Sequence, residues 1–281
     1  MNTYKLRETL LSLREGDLEL SSVDISKLTN AMLDNIGHVD PVLRDKLIYS
    51  SFSKMIINNY YTDAQLKHYL DICLDSDHLF YKVGEVNKDS VFKRSFSSLI
   101  IAVILHVNLK KTFLTPEDLV KISDLLVLYI EQEQDVRGLV SEKGWAHSIA
   151  HIADALVELV RQEDFPLDKM GDIFLSIYNK MCFSEDYFQF EENERMVIPV
   201  DALLERGLNA AEICERIGQT GKDLREKFPI DSLPLLIYRS NIKQFLSSLY
   251  FHLESTNKYS TIANRIKKTM KEINEPYYTS N

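Results

Sequence analysis

Thr115-Pro116-Glu117-Asp118-Leu119-Val120-Lys121-Ile122-Ser123-Asp124-Leu125-Leu126-Val127-Leu128-Tyr129 opens on a helix-start signature and continues with apolar residues at spacings of three and four. A threonine oxygen accepts from the free amides of a first helical turn, and proline fits where no amide bond is needed. Leu119, Ile122, Leu125, Leu126 and Tyr129 then form one stripe, the pattern of an amphipathic helix. Asp40-Pro41, Thr62-Asp63-Ala64-Gln65 and Asn209-Ala210-Ala211-Glu212 repeat the start signal, and Gly37 and Gly218 stand where helices are expected to stop.

Counting such marks gives roughly eleven or twelve helices. No stretch alternates apolar and polar residues between Asn-Gly or Asp-Gly turns, so no strand or hairpin is expected. The chain has 281 residues with only 9 Gly and 7 Pro, roughly half of average usage, which favours long elements and short connections. The expected fold is all-α, a HEAT-like right-handed α-α superhelix of stacked antiparallel helix pairs. No Gly-, Ser- or Pro-rich linker divides the chain, so residues 1–281 are read as a single α-helical domain. Lys82 to Asp89 and Ser184 to Arg195 read as the less regular connections.

The formal net charge is −9, which argues against nucleic acid, because phosphate binding requires clustered Lys and Arg. Cys73, Cys182 and Cys214 are far apart and form no CxxC pair, which fits a reducing compartment. Met1 to Glu8 has no apolar core of a secretory leader, and Leu99 to Leu105 is too short an apolar run to span a bilayer. A cytoplasmic protein without membrane contact is the resulting expectation.

The richest chemistry lies in Gly144-Trp145-Ala146-His147-Ser148-Ile149-Ala150-His151-Ile152-Ala153-Asp154. On a helix from Trp145 to Arg161, Trp145, Ile149, Ile152 and Leu156 share an inward face. His147, His151, Asp154, Glu158 and Arg161 share the opposite strip. Histidines four apart can ligate one ion, so His147 and His151 are candidate ligands for a divalent metal. His147 and Asp154 are about 10 Å apart along the axis, so a third ligand has to come from another helix. The other chemistry is acid-base work, with Asp154 orienting His151. Asp135 and Arg137 lie just upstream, where Arg137 either binds an anion or braces the turn against Asp135 or Glu133.

Asn35-Ile36-Gly37, Asp40, Leu43-Arg44-Asp45, Arg94-Ser95-Phe96, Asp135-Val136-Arg137-Gly138 and Gly144-Trp145-Ala146-His147, with His151 and Asp154, resemble the bacterial family known as domain of unknown function 2785. The resemblance covers about residues 30 to 200. It implies a cytosolic HEAT-like protein and brings no activity, substrate or cofactor. It groups Arg44, Asp45, Arg94, Asp135, Arg137, His147, His151 and Asp154 as a candidate polar groove. Two functions then compete: a binding module whose groove takes a peptide, a protein or a small anionic ligand, and a metal-dependent hydrolase built on His147, His151 and Asp154.

Overall fold

Side-chain oxygens start the helices where the sequence places the signals. Thr62 and Thr115 each close a reciprocal capping box, with Gln65 and Asp118 respectively, and Asn209 accepts from the amide of Ala211. A computed structural model describes residues 1–278, which contain twelve α-helices. They are α1 (Thr3–Glu15), α2 (Ile25–Asp34), α3 (Ser50–Ile57), α4 (Asp63–Cys73), α5 (Ser90–Lys110), α6 (Pro116–Gln132), α7 (Ser148–Val160), α8 (Met170–Met181), α9 (Glu192–Glu205), α10 (Ala210–Glu226), α11 (Leu233–Thr256) and α12 (Ser260–Tyr278). The chain divides into two compact units, Met1–Phe165 and a second beginning at Pro166.

In the first unit, Lys67 of α4 pairs with Asp118 of α6 at 2.6 Å and Asp71 of α4 with Lys121 of α6 at 2.9 Å. Partner numbers rise together along both helices, so α4 and α6 run parallel. The same holds for α5 and α7, where Ser95 meets His151, His106 meets Glu158 and Asn108 meets Gln162. Helices α4 and α5 therefore form one layer pair and α6 and α7 the next, stacked in register. This is HEAT-like stacking, in which each repeat buries its apolar faces against its neighbour.

The second unit repeats the scheme with different residues. Asn193 with Ser248, Asp201 with His252 and Glu205 with Lys258 make α9 and α11 parallel. Helices α10 and α12 are parallel too, since Cys214 faces Thr261 and Arg225 faces Glu275.

Helix α5 is the apolar centre of the first unit. By length and composition it could cross a membrane, yet 78% of its apolar window is buried within the fold. Helices α5 and α7 pack against each other, with Ile100, Ile101, Ile104 and Leu105 of the first and Ile149, Ile152, Leu156 and Leu159 of the second all at 0% exposure. Side chains of this kind contribute about 1.5–3 kcal/mol each when fully buried.

Four expectations need correction. The histidine helix begins at Ser148 and not at Trp145, because Gly144 (φ +75°) and His147 (φ +48°) adopt left-handed backbone that no helix accommodates. Residues upstream instead pair as a short antiparallel ribbon, β1 (Leu139–Val140) with β2 (Gly144–Trp145), where no strand was expected. Two backbone bonds extend it, Ala146 N–H to the Gly138 carbonyl (2.8 Å) and His147 N–H to that of Arg137 (3.0 Å). Trp145 is consequently 41% exposed and does not anchor the inward face. Gly218 does not end a helix; it lies inside α10, where a Cβ would collide with the guanidinium of Arg265.

Candidate functional site

The segment from Glu133 to His147 crosses from α6 to α7 without helix, and buried charge holds it in place. Arg94 and Glu133 are both fully buried and pair fork to fork, Nε to Oε2 at 2.6 Å and Nη2 to Oε1 at 2.8 Å. The remaining donors of Arg94 reach the carbonyls of Tyr81 (3.1 Å), Lys82 (3.2 Å) and Glu85 (3.4 Å) and the Ser90 hydroxyl. Glu133 also accepts from the Tyr129 hydroxyl and the Asp135 amide, so every member of the network is engaged. Burial opposes the charge on Arg94, but the Glu133 carboxylate outweighs it and the guanidinium is held more firmly protonated. Burial, with Glu133 adding, pushes the Tyr129 phenol well up.

Asp135, fully buried, receives Arg137 through Nε (2.8 Å) and Nη2 (2.6 Å). The bracing role for Arg137 is therefore the one realised. Asp135 also accepts from the Asn87 amide at 3.0 Å, and its carbonyl takes the Ser148 hydroxyl at 2.5 Å. The second Nη2 bond of Arg137 goes to the Lys88 carbonyl at 2.9 Å.

Arg44 comes from the other side. It lies in a π-helical stretch, Val42–Tyr49, that starts where the Asp40 carboxylate accepts from the amides of Val42 and Leu43. Fully buried, it stands 4.2 Å from the ring centre of Phe92 and 4.7 Å from that of Phe96. Its Nη1 donates to the His38 carbonyl (2.9 Å) and its Nη2 to those of Lys143 (2.8 Å) and Trp145 (3.4 Å). Asp45 lies 2.7 Å from Nε as an ion pair without hydrogen-bond alignment. Burial lowers the pKa of Arg44 and raises that of Asp45, each against the pull of the other.

Above this scaffold the aromatic groups gather. The Trp145 indole stacks on the His147 ring at 4.4 Å and 29°, and the His147 ring meets that of His151 edge-on at 5.8 Å. His151 also packs edge-on against Phe96 at 5.4 Å. The two imidazoles thus come together, although His147 stands before the helix and not on its face. Ser95, quoted within the family motif but not grouped with the groove, connects them to α5. Its hydroxyl donates to the Ala146 carbonyl and lies 2.7 Å from His151 Nδ1. A hydroxyl has one proton, so with that proton on Ala146 it accepts from His151 Nδ1–H, which puts the lone pair of the neutral ring on Nε2. The signal available beforehand was the run Ser95, Ser97 and Ser98 inside an otherwise apolar helix.

Beyond His151, the polar strip of α7 faces α5 of the preceding pair. Glu158 meets His106 of α5 at 3.2 Å. Asp154 is half-buried on the same helix, one turn beyond His151. Among the described residues, no group of three or more His, Cys, Asp or Glu side chains is arranged to hold a metal ion.

The buried charges gather around one crossing segment, with the imidazole pair above them. No curated protein and no solved structure matches this chain. A family model does match residues 79–251, reaching further toward the C-terminus and starting later than the resemblance drawn from motifs. It takes in Arg94, Asp135, Arg137, His147, His151 and Asp154 and leaves out Arg44 and Asp45. The chain belongs to the family described as protein of unknown function (DUF2785).

Proposed function

We propose that this protein is a non-enzymatic binding module whose recognition surface is the Trp145–His147–His151 cluster. The observation that carries the reading is an exposed indole stacked on a histidine held in left-handed backbone, above a fully buried ionic scaffold. Left-handed backbone at a non-glycine residue is costly, and it persists where the surroundings over-determine it. An aromatic group fixed before the ligand arrives loses little entropy on binding. Indole and imidazole together suit a peptide or a small anionic ligand, offering one flat apolar face edged by ring hydrogens of positive partial charge.

The chain has one tryptophan, so its emission reports this surface alone. Peptide and metabolite libraries are screened for a saturable change in Trp145 emission, and the hits are measured by calorimetry on His147→Gly and Trp145→Ala. Glycine adopts the left-handed backbone at 147 without strain, and far-UV circular dichroism checks that the variant folds. The reading expects affinity to fall about tenfold or more in both variants. Failure of every probe to shift the emission, or hits that bind the variants unchanged, would contradict it.

A metal-dependent hydrolase is a second reading, favoured by the Ser95 contact that directs the His151 lone pair to Nε2. Elemental analysis of protein purified without a histidine tag or chelator decides it. Stoichiometric zinc, manganese, iron or nickel lost in His147→Gly/His151→Ala supports it, and substoichiometric metal in every preparation removes it.

A further inference from the structure

Buried Arg44 and Arg94 share a consequence apart from the histidine cluster. Arg44 holds the carbonyl of His38, and Arg94 holds those of Tyr81, Lys82 and Glu85. All four residues line one cleft of about 600 Å³ in the first unit, a size that suits a small molecule. The two buried guanidiniums thus hold the backbone of two separate stretches of its lining.

The cleft is rich in ammonium groups. Lys82, Lys88 and Lys93 all line it, and among the described residues none of the three is in an ion pair. Lys82 and Lys93 place their Nζ atoms 5.5 and 5.2 Å from the centre of the same Tyr81 ring. Both ammonium groups thus lie within cation–π range of Tyr81, and a bound anion would supply the counter-charge that neither finds in an ion pair. Of the three carboxylates in the cleft, Asp89 is neutralised by Lys143 at 2.8 Å and Glu85 accepts from the Ser90 hydroxyl. Asp34 completes the rim. The backbone carrying two of these lysines is closely constrained: Lys82 has φ +49°, and Gly37 approaches the backbone of Lys93 so closely that a Cβ would lie 2.5 Å from its Cα.

We infer that this cleft is a binding site for a phosphorylated small polyol. Lys82, Lys88 and Lys93 take the phosphate as point charges, and Asp34 and Glu85 accept from ligand hydroxyls. The site is separate from the Trp145 surface, and neither His147 nor His151 lines it.

Calorimetry of the full chain with ribose 5-phosphate, ribose and citrate tests the assignment, with Lys88→Gln/Lys93→Gln as the variant and far-UV circular dichroism as the check on folding. Lys88→Gln alone serves if the double variant does not fold. The expected result is saturable binding of ribose 5-phosphate, no binding of ribose, and a loss of about tenfold or more in affinity on lysine removal. Absence of ribose 5-phosphate binding overturns the inference, as does binding that the lysine variants leave unchanged. Citrate binding more tightly than the phosphate ester overturns the ligand class. Because Trp145 emission reports the other surface, this result stands or falls independently of the proposed function.

Discussion

Gly144 lies against Arg44 so closely that a Cβ at 144 would stand 3.3 Å from the Arg44 Nη2 and 2.9 Å from the Cβ of Pro41. The backbone of residue 144 is also left-handed, at φ +75°. Gly144→Ala therefore carries two penalties, a strained backbone and a displaced ribbon, together about 1–3 kcal/mol. Chemical denaturation measures the loss, and a shift of Trp145 emission accompanies it, since the next residue moves with the ribbon.

Arg94 and Glu133 form the best-satisfied buried pair in the first unit. Arg94→Ala leaves a buried carboxylate unpaired and is expected to cost about 3–5 kcal/mol. Arg94→Lys recovers little, because one ammonium cannot replace a fork that also holds three carbonyls. In a double-mutant cycle, Arg94→Met/Glu133→Leu is less destabilised than the sum of the single changes. Urea titration of the four proteins checks this; strict additivity would mean that the pair is not coupled.

Ser95 sets the tautomer of His151. Nitrogen-15 spectra of the histidine rings in the wild type are expected to show Nδ1–H for neutral His151. In Ser95→Ala the acceptor is gone, and the ring signals move toward the mixture of tautomers seen in unconstrained histidine. Identical spectra in the two proteins would remove Ser95 from the site.

Asp40 supplies the pH dependence. Burial pushes its carboxyl up, but the amides of Val42 and Leu43 and the Arg7 guanidinium outweigh this and hold the pKa below the usual carboxylate value. A carboxylate with a depressed folded pKa contributes stability that is fully present above its unfolded value and lost as pH falls through the folded one. Asp40→Asn keeps an acceptor for the amides and loses the attraction to Arg7. Its deficit, about 0.5 kcal/mol after solvent screening, is constant at neutral pH and shrinks in the acid range below the ordinary carboxylate pKa. Thermal melts across that range read the difference.

Several helices were legible because local chemistry announces them, whereas α5, α8 and α11 start without a side-chain cap. Thr62, Thr115, Asn209 and Asp40 all cap as their side chains dictate. The repeat was not legible, because stacking needs only matched apolar faces. Side-chain bonds joining the stacked helices link residues 47 to 56 apart, yet the residues at those positions differ from pair to pair. The site was half visible. Projection of a continuous helix put Trp145 inward and His147 on a strip with Asp154, because periodicity continues smoothly through Ala146. Only the left-handed backbone at Gly144 and His147 breaks it, and long-range carbonyl contacts from Arg44 enforce that break. Arg44 and Arg94 stood out as charges beside apolar runs, but that their donors would be spent on backbone carbonyls depends on tertiary structure alone.

Stacking on His147 is expected to hold the exposed Trp145 indole still before any ligand binds. Time-resolved fluorescence anisotropy of Trp145 measures this. The decay is expected to be dominated by tumbling of the whole molecule in the wild type, with a large nanosecond component appearing in His147→Gly when the stacking partner is removed. A wild-type indole that already reorients freely within nanoseconds, and does so equally in His147→Gly, would mean that the stack does not fix it.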